Sequence, residues 1–76
     1  MPDYTYAIET DDFINIRQQP DSHSQEIAQA NAGIRMMAAE EVQGGEYGGS
    51  RPGNSWYPVQ YDSIEGYVAA GYAHLV

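Results

Sequence analysis

Three neighbouring residues, Asp21, Ser22 and His23, bring together the carboxylate, hydroxyl and imidazole that acyl-transfer enzymes combine. A nucleophile–base–orienter relay needs these groups to converge in space, and contiguous residues in a turn cannot do so. The carboxylate pairs Asp11-Asp12 and Glu40-Glu41 offer acid–base or cation chemistry. Neighbours on a strand point to opposite faces, so neither pair meets on one atom. His74 stands without other ligand types at metal spacing. The run Gly44-Gly45-Glu46-Tyr47-Gly48-Gly49 is glycine-rich, as a phosphate cradle is. It lacks the Lys and Ser/Thr that follow a cradle, and Glu46 would repel phosphate. With no cysteine in the chain, disulfides and thiolate zinc sites are excluded. These readings predict no catalytic residues, no metal and no cofactor.

Aromatic residues are the better candidates, for binding rather than catalysis, because Trp, Tyr and Arg dominate interface hot spots. In Trp56-Tyr57-Pro58-Val59-Gln60-Tyr61, Tyr57, Val59 and Tyr61 share one strand face, and Trp56 has the opposite parity. If Tyr57 and Val59 face the core, Trp56 points outward beside a long loop. It then either walls a binding groove or is covered by Tyr47 or Pro52 folding back from that loop. Tyr47 and Tyr61 are candidate additions to such a groove.

Short strands must position these side chains. Tyr4 to Ile16 alternates and is rich in aromatic and β-branched residues, which predicts a strand, an acidic turn at Asp11-Asp12 and a second strand. Pro20-Asp21 signals a turn: a fixed φ is followed by a side chain that bonds its own backbone. Ser24 to Val42 reads two ways. Its Ala, Glu, Gln and Met residues, with apolar positions near helical spacing, favour a helix, although Gly33 would cost that helix about 1 kcal/mol. As strands, Ile27 belongs to one, Ala32-Gly33 to a turn, and Ile34, Met36 and Ala38 to the inner face of the next. Residues 43–55 hold five of the eight glycines with Pro52 and Asn54, and predict a loop at the tip of a long hairpin. Pro58 cannot donate a ladder bond and is expected on an edge or an outward, exposed stretch. Asp62-Ser63 turns the chain into Ile64–Ala69, and Gly71–Val76 closes it. No repeat or linker interrupts residues 1–76, which predict one domain. Closely spaced strands separated by turns predict an all-β fold, a small barrel.

The charge narrows the partners. Eleven acidic residues face three arginines and no lysine, for a net charge of −8. Nucleic acids and anionic membranes require a basic surface, which this chain does not have. No stretch reaches the ~20 apolar residues of a membrane helix. Met1-Pro2-Asp3-Tyr4-Thr5 lacks the basic start and apolar run of a secretion signal. If Met1 is the native start the expectation is cytoplasmic; a domain excised from a cell-wall enzyme would be extracytoplasmic.

Four segments together resemble one family. Ile14-Asn15-Ile16-Arg17-Gln18-Gln19-Pro20 resembles the "L-N-V-R-x-x-P" motif of bacterial SH3 domains. Ile27 and then Gly33-Ile34-Arg35-Met36 are similar to the next strand and its "G-x-x-V" step. Trp56-Tyr57-Pro58-Val59 resembles "W-Y-K-V", and Gly66-Tyr67-Val68 with Tyr72 and Leu75 resembles "G-Y-V…Y-L". The segments occur in family order over nearly the whole chain, and favour the strand reading of Ser24–Val42. Pro58 stands where the family has Lys or Arg, and the loop before Trp56 is longer than usual. The resemblance to eukaryotic SH3 domains is weaker: Ala69 replaces the groove proline, and no "A-L-Y-D-Y" motif is present.

The resemblance implies an SH3-like barrel of five or more short antiparallel strands. It further implies a binding module for a peptide or cell-wall peptide, with Tyr72 as the second wall of a groove beside Trp56. Asn15 and Arg17 are expected to brace a neighbouring loop, and Tyr67 and Val68 to fill the core. The alternative is an acidic adaptor or inhibitor that meets a basic protein partner. Self-association as a homo-oligomer, through an edge strand or the long hairpin, is a third expectation.

Overall fold

The computed structural model describes residues 3–76. Met1 and Pro2, on which the expectation about compartment turned, lie outside the described residues. In chain order the strands are β1 (Tyr6–Thr10), β2 (Ile14–Arg17), β3 (Glu26–Ala30), β4 (Arg35–Ala38), β5 (Val42–Tyr47), β6 (Gly53–Tyr61), β7 (Ile64–Ala69) and β8 (Ala73–Leu75). A 3-10 turn, Ala70–Tyr72, joins β7 to β8. Among the described residues no helix is long and apolar enough to cross a membrane.

Alternation selects the inward faces. Ile8, Ile16, Val59 and Val68 are completely buried, each worth about 1.5–3 kcal/mol relative to exposure. All the ladders are antiparallel and run β3-β2-β7-β6-β4-β1-β8, with β5 paired to β6. Ala30 of β3 and Ala73 of β8, from the two ends of that order, belong to one core with Ile8, Met36 and Val59. A flat sheet could not bring its ends to one core, so the sheet curls into a small SH3-like barrel. Only β5 contributes nothing to this core; it lies outside it.

Ser24–Val42 is extended, not helical. Ile14 pairs with Ala30, and Tyr6 with Ala38, so cross-strand partners on both sides override the local helix preference. The turn between β3 and β4 is held by buried Thr10. Its Oγ1 donates to the Asn31 carbonyl at 2.6 Å and accepts from the Ile34 N–H at 2.9 Å. At the β6–β7 hairpin, Asp62 and Ser63 have φ of 49° and 66°. Positive φ at both central residues is what a two-residue turn matched to strand twist requires.

Three expectations need correction. Residues 43–55 are not one loop: β5 reaches Tyr47 and β6 begins at Gly53. Glycine content disguised the strand, because Gly44 lies against the Pro20 turn. A Cβ there would meet Pro20 Cβ and Trp56 Cδ1 at 2.8 Å. Pro58 is buried in a central strand rather than exposed. It sits where β6 changes partner, between Trp56, paired with Val42 of β5, and Val59, paired with Ala38 of β4. The Pro58 carbonyl accepts from the Ala39 N–H at 2.8 Å. A strand residue's nitrogen points to the same side as its carbonyl, so the missing N–H falls at the break between β4 and β5 and the ladder to β7 loses nothing. Tyr67, finally, is half-buried outside the core cluster, because its neighbour Val68 takes the inward position.

Candidate binding groove

Trp56 follows its parity and stays out of the central core, yet it is only 2% exposed. The covered alternative holds, and Tyr47 is the cover. The two rings meet edge to face at 5.3 Å, 85° apart. The Trp56 indole N–H donates to the Gly45 carbonyl at 2.8 Å, which spares the buried nitrogen a desolvation penalty. The Trp56 strand face is thus a second, smaller apolar layer roofed by β5.

Tyr47 is itself fixed at both ends. Its hydroxyl donates to the Ser55 carbonyl at 2.9 Å and accepts from the Gly71 N–H at 3.0 Å. Gly71 belongs to the 3-10 turn, and so does Tyr72, whose ring lies 6.1 Å from that of Tyr47. Tyr72 donates to the Gly48 carbonyl at 2.6 Å and accepts from the Arg51 N–H at 3.2 Å. Arg51 in turn bonds the Asp11 carboxylate at 2.9 Å and the Gly71 carbonyl at 3.3 Å. His74 Nδ1 is 2.6 Å from the other Asp11 oxygen. The His74 hydrogen bond first, and Arg51 after it, hold the Asp11 carboxyl below its usual range. Asp11 therefore ties the β1–β2 turn to the hairpin tip and to β8.

These restraints leave a shallow groove of about 290 Å³. Phe13, Tyr47 and Tyr72 line it, with Trp56 beneath and Asn15, Arg17 and Ser22 along it. Phe13 is 52% exposed, a large apolar side chain open to a partner. The hydrogens of both phenols are spent inside the protein, and Arg17 is held by the Ser24 carbonyl at 2.8 Å and by Glu26. What the groove offers a ligand is mainly ring surface.

Of the four aromatic residues singled out in the sequence, Trp56, Tyr47 and Tyr72 come together here. Tyr61 does not line this groove; it packs against the core at the other end of β6. Phe13 was not foreseen. Its signal was an aromatic residue directly after the Asp11-Asp12 turn, where the Asp12 carboxylate accepts the Phe13 N–H at 2.8 Å. The triad types do not assemble: Ser22 Oγ donates to the Glu46 carbonyl at 3.0 Å, and Asp21 accepts the His23 N–H at 2.9 Å. Among the described residues no three His, Asp or Glu side chains converge as a metal site requires.

The 3-10 turn that carries Tyr72 lies beside β6, the strand that holds Trp56-Tyr57, so two of the motif segments by which the sequence resembles one family meet in the fold. The family model described as "Bacterial SH3 domain" matches residues 12–74. The chain belongs to the bacterial SH3 domain family. The match runs from the β1–β2 turn into β8 and leaves out β1, which nonetheless pairs with both β4 and β8. Comparison with curated proteins and with solved structures gives no match. Membership of the SH3 family makes this a binding module in general terms, and SH3 domains meet protein or peptide partners.

Proposed function

We propose that this bacterial SH3 domain is a non-catalytic recognition module that receives a peptide, including the peptide part of the cell wall, on its aromatic groove. The ligand would lie against Phe13, Tyr47 and Tyr72, with Trp56 supporting Tyr47 from below. The observation that carries this reading is an exposed phenylalanine beside two tyrosines that are already locked by hydrogen bonds. A preorganised aromatic wall loses little side-chain entropy on binding, which is where much of the cost of association lies. The length of the β5–β6 hairpin would set specificity, because Tyr47 and Gly48 lie at its end.

A pull-down on purified peptidoglycan tests the reading, comparing the natural chain with Phe13→Ala. Retention of the natural chain and clear loss by the variant support it. Failure of both to bind removes the cell-wall ligand, and equal retention removes the groove.

A further inference from the structure

A second depression shares no residue with the aromatic groove. It holds about 460 Å³, within the ~300–1,000 Å³ typical of ligand sites, and its apolar lining is Tyr6, Ala39, Val42, Pro58 and Tyr67. Tyr6 and Val42 are 46% and 38% exposed. A neighbouring hollow of about 220 Å³ shares Tyr6, Ala39 and Glu40 with it and extends the surface to Tyr57 and Leu75. The charged residues lining the pair are all acidic: Asp3, Glu40 and Glu41, each exposed.

The three arginines are engaged elsewhere. Arg17 pairs with Glu26, Arg35 with Glu9 and Arg51 with Asp11. Among the described residues no Arg or His forms an ion pair with Asp3, Glu40 or Glu41. The position of the two glutamates has a backbone cause. Residues 39–41 cross from β4 to β5 at the ladder break beside Pro58, so Glu40 and Glu41 belong to neither strand.

We infer that the Tyr6–Pro58–Tyr67 surface, with Asp3, Glu40 and Glu41 around it, is a second docking site that takes a lysine- or arginine-bearing segment of a protein partner. The chemistry matches part by part. The methylene stem of a long basic side chain covers apolar surface while its head stays polar. Tyrosine faces attract a cation, and the carboxylates pair with it. An anionic segment would meet three carboxylates that no Arg or His among the described residues pairs. The site is independent of the aromatic groove, and either can fail without the other.

Isothermal titration calorimetry with an acetylated, amidated peptide of alternating lysine and leucine tests this on the whole chain. The same peptide with every lysine acetylated is the comparison. The lysine peptide should bind, bind more weakly as salt rises, and lose about two- to fivefold in affinity with Glu40→Gln. A similar two- to fivefold loss is expected, to about that size, with Tyr6→Ala. Glu46→Gln, which removes an equal charge elsewhere, should bind like the natural chain. Both test residues are exposed, and an unchanged circular dichroism spectrum shows that the variants are folded. Equal binding of the acetylated peptide overturns the inference, as does indifference to Glu40→Gln and Tyr6→Ala. Absence of binding overturns it too. So does loss of binding through Phe13→Ala alone, which would place the peptide in the aromatic groove.

Discussion

Tyr72 donates its phenolic hydrogen to the Gly48 carbonyl at 2.6 Å, fastening the 3-10 turn to the tip of the β5–β6 hairpin. Two elements far apart in sequence thereby become one wall of the groove. The same oxygen accepts the Arg51 N–H, so Tyr72 organises the hairpin end as well as offering its ring. Tyr72→Phe keeps the ring and removes both bonds. It should cost about 0.5–1.5 kcal/mol in chemical denaturation, and the Arg51 amide should exchange with solvent faster. Unchanged Arg51 exchange would show that the latch does not order the tip.

Trp56 is a structural residue first. Truncation to Ala removes a buried indole and strips the Gly45 carbonyl of its donor, a loss of about 3–5 kcal/mol. Domains of this size hold only about 5–10 kcal/mol in total. Trp56→Ala should therefore unfold at a markedly lower temperature, and any loss of binding by it reports folding. Trp56→Phe should cost less because a ring stays under Tyr47. Thermal denaturation of the two variants checks the order.

Ser63 adopts a φ of 66°. A left-handed conformation is free only for glycine. Ser63→Gly should raise stability by about 0.5–1 kcal/mol, read as a higher denaturation midpoint with an unchanged slope.

Asp11 supplies the acid sensitivity. His74 and Arg51 hold its carboxyl below the ordinary value of 3.8. A carboxylate with a lowered folded-state pKa prefers to be ionised in the fold. Its stabilisation is complete above the ordinary value and fades as pH falls from there through the folded-state pKa. Denaturation midpoints of the natural chain and Asp11→Asn should differ at neutral pH and converge as pH drops below about 4. A constant difference down to strongly acid pH would contradict the assignment.

Much of this fold was legible in the sequence because alternation is a local signal. Ile8, Ile14 and Ile16 alternate with half-buried or exposed neighbours, and with Val59 and Val68 they mark four of the strands. Ser24–Val42 was ambiguous because Ala, Gln, Glu and Met carry helix propensity, whereas its strands are decided by partners such as Ile14 and Tyr6. Gly44 and Gly45 read as loop residues because close packing against Pro20 and Asp21 is invisible locally. Parity set Trp56 apart from the core, but only the tertiary fold could say that Tyr47 covers it. Parity also placed Tyr61 with Tyr57 and Val59, on the face that packs toward the core and away from the groove. Phe13 escaped because an aromatic beside a turn carries no periodic signal.

The groove itself is tested most directly by nitrogen-15 NMR, titrating the labelled chain with soluble stem peptides released from peptidoglycan. The backbone amides of Phe13, Gly48, Arg51 and Tyr72 should shift together and saturably, while those of Tyr61 and Ile64 at the other end of β6 stay in place. Binding that leaves the first four unmoved, or no shift anywhere on addition of excess peptide, would contradict the account.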